Sequence, residues 1–114
     1  MREIKFRGLR KNVWIYGYYF YRSDIDVHFI CEDSVKRPVD GNSVGQYTEQ
    51  NDVNGNEIYG GMDVHQVSVL LGSEDIDFTG KVKFYDGTWW IDTGFDAISL
   101  FNETCENTII TGEE

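Results

Sequence analysis

From Val13 to Tyr21 every residue except Gly17 is apolar or aromatic. Such residues favour the pleated backbone of a strand. Successive side chains of a strand point to opposite faces. Val13, Ile15, Gly17, Tyr19 and Tyr21 then share one face, and Trp14, Tyr16, Tyr18 and Phe20 share the other. A strand that is apolar on both faces needs cover on both. Either two β layers sandwich it, or one row of rings stays at the surface as an interface, where Tyr and Trp are favoured anchors.

The rest of the chain keeps a period of two. Ile4 and Phe6 alternate with charged neighbours, and Ile25, Val27, Phe29 and Cys31 alternate after the aromatic run. This pattern predicts further strands. Lys36 to Asn42 holds the only proline and reads as a loop. Asn54-Gly55 is a strong hairpin signal, because a type I′ turn needs positive φ at both central residues. Asp86-Gly87, between Val82-Lys83-Phe84 and Trp89-Trp90-Ile91, predicts a second hairpin. Val67, Val69 and Leu71 mark a strand between them, and Ile109-Ile110 a last short one. Ala97, Phe101 and Cys105 recur at helical spacing, so one short helix over 97–105 is allowed. The pattern implies a mainly β roll or small barrel with at most one short helix.

Composition bounds the function. A chain of 114 residues is expected to form one domain, 1–114, able to bury about two-thirds of its unfolded surface. At 40% hydrophobic and 15% aromatic it is not a disordered chain. No apolar run approaches the ~20 residues of a membrane helix, and the N-terminus has no apolar signal-peptide core. Cys31 and Cys105 are too few for a disulfide framework, so reduced thiols in a cytoplasm are expected. The net charge of −10 is uneven: residues 1–12 carry +4 and the remainder −14. A body this acidic repels phosphate, so no nucleic-acid partner is expected. The basic arm reads as a protected edge strand, or as a strip that meets the acidic face of another copy or partner.

The most specific stretch runs from Val44 to Gly61. Asp52 and Asn56 suit Asx turns around Asn54-Gly55. Ile58 and Tyr59 form an apolar anchor, and Gly60-Gly61 allows backbone angles other residues avoid. Gln46, Tyr47, Thr48, Asp52, Gly55, Ile58, Tyr59, Gly61 and Val64 together resemble the signature of the YopX family of phage and prophage proteins. Met1 to Gly8, Trp14, Tyr16-Gly17-Tyr18 and Gly80-x-Val82-x-Phe84-x-Asp86-Gly87 extend the resemblance along most of the chain. Glu49 stands where that family usually has glycine, Gly60 where it has glutamate, and Met62-Asp63 where it has aspartate-isoleucine. The resemblance implies a Src-homology-three-like small barrel in residues 44–114, with 1–43 as an irregular β layer. It implies no established activity.

Candidate chemistry is sparse. Asp24, Asp26 and His28 share one face if 24–28 is a strand, and could converge on a cation or form a solvated face. Asp52-x-Asn54-x-Asn56 imitates a calcium loop but has Glu57 where glycine is needed. His28 and His65 have no cysteine in metal spacing. Glu57, Asp63 and Asp86 could supply an acid–base pair, yet none is singled out. No catalytic, cofactor-binding or metal residue is expected. The leading expectation is a non-enzymatic protein-binding or assembly module of a phage or prophage, homo-oligomeric, with Trp14, Tyr16, Tyr18 and Phe20 as the interface and a host or phage protein as a further partner. An acidic nucleic-acid mimic that inhibits a host protein and a small metal-dependent hydrolase are the alternatives.

Overall fold

The computed structural model describes residues 4–72 and 75–110. Arg2 and Glu3 of the basic arm lie outside them. The described residues form ten strands: β1 (Phe6–Arg10), β2 (Val13–Arg22), β3 (Val27–Glu32), β4 (Val35–Asn51), β5 (Glu57–Tyr59), β6 (Asp63–Ser68), β7 (Asp77–Tyr85), β8 (Thr88–Asp92), β9 (Ala97–Ser99) and β10 (Cys105–Ile109). The pairs β1–β2, β1–β4, β2–β3, β3–β4, β6–β7, β6–β10, β7–β8 and β8–β9 are all antiparallel. The chain divides into two compact units, residues 1–47 and 48–114, and β4 runs from one into the other.

In the first unit β1 pairs with β2, β2 with β3, β3 with β4, and β4 returns to β1, so four strands close into a ring. The ring needs tight connections. Lys11-Asn12 joins β1 to β2 and Asp33-Ser34 joins β3 to β4, each with both residues at positive φ (50° and 68°, 49° and 69°). These are type I′ geometries, whose twist matches the strands they join. Ile30 is the fully buried centre. Gly17, the break in the aromatic run, lies where a Cβ would overlap the Cys31 carbonyl oxygen and press on the Ile30 side chain. The ring thus closes around a missing side chain.

The second unit contains the end of β4, β5 and an open sheet in the order β10-β6-β7-β8-β9. Its core is Ile58, Tyr59, Met62, Val64, Val82, Trp89, Ile91, Leu100 and Ile109. Two side-chain amides, a buried one (Gln66) and a half-buried one (Asn107), link the ends of the sheet. Gln66 of β6 donates to the carbonyls of Ser99 (3.2 Å) and Leu100 (3.4 Å) and to the Asn107 side chain (2.8 Å), and Asn107 of β10 donates to Leu100 (3.2 Å). Backbone pairing stops at β9, and side chains carry the closure on to β10.

The fold is mainly β and barrel-like, as the patterning predicts. Three local expectations need correction. No helix occurs among the described residues, and 97–105 instead forms β9, a turn and the start of β10. Ser99 accepts the amide of Phe101, and the Asn102 side chain accepts that of Thr104, local bonds that compete with helix formation. Residues 36–42 are strand, not loop. Pro38 fits there because the first part of β4 pairs on one side only, with β3. The strand expected at Val67, Val69 and Leu71 runs over Asp63–Ser68 instead. Backbone ring closure among the described residues falls in residues 6–46.

Gly17→Ala is expected to destabilise the protein by roughly 2 kcal/mol or more, because neither a carbonyl nor Ile30 can move away cheaply. Chemical denaturation measures it, and an unchanged midpoint would show that β3 is free to shift.

Candidate functional site

The signature residues form a clip. Gln46 pairs with Phe6, and Tyr47 donates its amide to the Lys5 carbonyl while the Lys5 ammonium lies 5.3 Å from its ring centroid. Thr48 is buried and its hydroxyl accepts the Gln50 amide at 3.1 Å. Between these bonded residues Glu49 adopts φ +69°, the left-handed region where glycine fits best.

The Asn54-Gly55 hairpin forms, but not as a type I′ turn. The amide of Gly55 donates to the Asp52 carbonyl (2.9 Å), and Gly55 alone among residues 53–55 has positive φ (85°). This matches a three-residue loop, a type I turn followed by a left-handed glycine. Asp52 organises it. The carboxylate is 6% exposed. One oxygen accepts the amides of Asn54 and Asn56 at 2.9 Å each, and the other accepts the amide of Ile109 in β10 at 3.2 Å. The Val53 amide donates to Asn107 at 2.8 Å. The hairpin tip is therefore tied to the last strand. Burial pushes the Asp52 carboxyl pKa up, but the donors of Asn56, Ile109 and Asn54 outweigh it and hold the pKa below the ordinary value.

Ile58 and Tyr59 are buried, and the Tyr59 hydroxyl donates to Glu57 at 2.9 Å. Tyr59 to Met62 then forms a turn closed by a 3.2 Å bond, with Gly61 at φ 93°, the glycine position of a type II turn. Every signature residue from Thr48 to Gly61 thus has a structural task.

The candidate cation ligands do not converge. Asp24 and Asp26 lie in the β2–β3 loop rather than on a strand. Asp24 pairs with Arg22, and Asp26 accepts the Tyr21 hydroxyl at 2.8 Å, a bond that raises the tyrosine pKa. His28 on β3 lies between the rings of Tyr19 and Tyr21 (centroids 5.8 and 4.6 Å), shares a 2.6 Å bond with the Tyr19 hydroxyl, and packs where Gly41 lacks a side chain. This cluster was missed because Tyr19 and Tyr21 read simply as apolar strand residues. Among the described residues no group of three or more His, Cys, Asp or Glu side chains could hold a metal. Glu57, Asp63 and Asp86 are separated by their tasks: a bond to Tyr59, a 3.2 Å ion pair with Lys81, and a place in the β7–β8 turn.

The aromatic residues do gather. Directly paired residues of an antiparallel sheet share a face. Tyr16 is opposite Arg7, Trp14 opposite Leu9, Tyr18 opposite Cys31 and Phe20 opposite Phe29, with Lys36 and Pro38 next in the ladder. Tyr16, Tyr18 and Phe20 are 40%, 60% and 43% exposed. Trp14 is half-buried, with the Arg7 guanidinium 3.5 Å from its ring centroid. The other face holds Ile15, Gly17 and Tyr19 and packs inward. Tyr16, Tyr18 and Phe20 are therefore a surface row of rings, flanked by Phe29 and Lys36.

The chain matches no protein-family model, no curated protein and no solved structure.

As pH falls through the depressed Asp52 pKa, its contribution to stability is expected to be lost. That contribution is fully present above the unfolded value of about 3.9. Asp52→Asn should lower stability at neutral pH and flatten the acid limb of a denaturation profile, and an acid limb identical to wild type would contradict this. At position 49, glycine should exceed alanine in stability by about 1 kcal/mol, the reverse of an ordinary strand position. Equal stability of Glu49→Gly and Glu49→Ala would exclude strain there.

Proposed function

We propose that the chain is a YopX-like phage or prophage protein that acts in the host cytoplasm as a non-enzymatic binding and assembly module. Its working surface is the outer face of the N-terminal sheet, and its first partner is another copy of itself. One observation carries this reading: Tyr16, Tyr18 and Phe20 stand in a row on a regular strand, 40–60% exposed. Rings held by a rigid sheet lose little entropy on binding, and large amphipathic rings are the usual anchors of interfaces. The family assignment is supported by conformation. Glu49 has left-handed backbone where the family usually carries glycine, and Gly61 has it at the glycine retained.

A nucleic-acid partner is disfavoured by what the neighbouring cations already do. Arg7 is buried against Trp14, Arg22 is paired with Asp24, and Lys5 lies over Tyr47. Rings without available cations suit a protein surface better than a phosphate backbone. No helix among the described residues is long and apolar enough to cross a membrane.

Sedimentation velocity tests the reading across concentration and salt. A stable interface buries at least ~1,000 Å² in total. Wild-type mass should rise with concentration and persist in moderate salt, since burial of rings is not screened. Tyr18→Glu should weaken association at least about tenfold, as loss of an interface anchor does, without lowering the melting temperature. A wild-type monomer at high micromolar concentration in every buffer would overturn the proposal.

A further inference from the structure

The first unit has a cleft that the aromatic face does not use. Its volume is about 310 Å³, and it is lined by Leu9, Arg10 and Lys11 on one side and by Pro38, Val39 and Asp40 on the other. Both walls belong to residues 1–47. The cleft exists because β4 changes partners there. Its first part, up to Val39, pairs with β3, and its pairing with β1 begins at Asp40, opposite Leu9. Among the described strands none lies along residues 35–38 on the side away from β3.

Arg10 makes the cleft more than an apolar gap. Gly8 and Arg10, two apart on β1, share a face. At Gly8 that face meets the core so closely that a Cβ would lie 2.7 Å from Val39 and 3.2 Å from Ile30. It is therefore the inner face, and the Arg10 side chain leaves the strand on the side of the core. Its Nε is buried and has no hydrogen-bond partner among the described residues. Arg7 rests on Trp14 and Arg22 is paired with Asp24, but Arg10 has neither kind of partner among the described residues. A guanidinium donor held out of water without an acceptor is costly, so this group calls for one. Lys11, at the turn beside it, is exposed and adds a second cation.

The walls define that acceptor. Arginine matches a carboxylate with two parallel donors. Leu9, Pro38 and Val39 offer apolar surface to whatever carries it. Asp40, whose side chain accepts the Asn42 amide at 3.0 Å, adds one negative charge and so favours a single carboxylate over a dianion. Lys11, Pro38 and Asp40 are exposed, so the cleft is open on one side. A small free acid would stay largely in water there, whereas small-molecule sites enclose most of their ligand. A peptide end can continue outward along the unpaired edge of β4 by strand addition.

We infer that this cleft captures the C-terminal carboxylate of an extended peptide whose last side chain is apolar. Arg10 holds the carboxylate, Lys11 supplies the second cation, and Leu9, Pro38 and Val39 receive the side chain. The inference goes beyond the aromatic face and does not depend on self-association.

Nitrogen–proton NMR titration tests it, because the Arg10 Nε–H gives its own signal. The probes are an acetylated Thr-Val-Thr-Leu peptide with a free carboxylate, the same peptide amidated, and 4-methylpentanoate, which has the carboxylate and a branched body but no chain. The free-carboxylate peptide should shift the Arg10 Nε–H and the Lys11 and Val39 amides to saturation. Amidation should weaken binding at least about tenfold, as loss of a hydrogen bond to a charged group does. Arg10→Gln should weaken it similarly, and Asp40→Asn should tighten it, which a purely structural Asp40 would not do. Equal binding of the amidated and free peptides overturns the site, and that comparison uses the wild-type protein, so it decides even if Arg10→Gln alters the fold. A folded Arg10→Gln variant that binds like wild type also overturns it. Binding of 4-methylpentanoate as tight as that of the peptide overturns the peptide end as occupant. Tyr18→Glu should leave peptide binding intact, so failure of this site and failure of the aromatic face are read separately.

Discussion

One buried carboxylate sets the geometry of the second unit. Asp52 stands at the hairpin between β4 and β5, and it accepts three amides, two from its own turn and one from β10. A lone buried charge is costly, but a carboxylate ringed by backbone donors is not lone, and the same donors that lower its pKa fix where β10 must lie. Gln66 and Asn107 do the matching task across the sheet, reaching the carbonyls at the end of β9. A short sheet of three-to-nine-residue strands is marginal as a flat ribbon. Here polar side chains, each aimed at backbone, hold its edges. A shift in register would break these bonds to the buried Gln66 side chain and the Asp52 carboxylate, so the network favours this arrangement.

This accounts for a specific signature without specific chemistry. Thr48, Asp52, Gly55, Tyr59 and Gly61 each solve a local backbone problem: a bonded bend, a tip, a left-handed residue, a plug or a turn. Glu49 is the position where this sequence keeps the conformation and departs from the side chain that suits it. The proposed binding surface lies elsewhere, on residues whose exposure the clip does not require.

Much of the fold was legible because period two survives burial. The Asp86-Gly87 turn, the apolar pair Ile58-Tyr59 and the two-faced run at 13–21 follow from turn chemistry and alternation alone. Lys11-Asn12 and Asp33-Ser34 were not legible as tight turns, since neither contains glycine, although Asn and Asp tolerate left-handed backbone. The face of β2 left at the surface depends on Cys31 and Ile30 packing against Gly17, which alternation within one strand does not reveal. The closing amides were invisible for the same reason: Gln66 and Asn107 are far apart in sequence and look like solvated polar residues.

The charge distribution bears on how the proposed assembly could stay bounded. Each copy carries −10 overall, so a growing assembly accumulates like charge. Near physiological ionic strength the Debye length is about 8 Å, far shorter than a protomer. Bodies one protomer apart therefore hardly feel each other. At low ionic strength the balance reverses, because repulsion then reaches across whole protomers whereas apolar burial is unchanged. The same acidity thus opposes long assemblies most when salt is scarce. Ring burial supplies the cohesion, and the acidic unit limits the length.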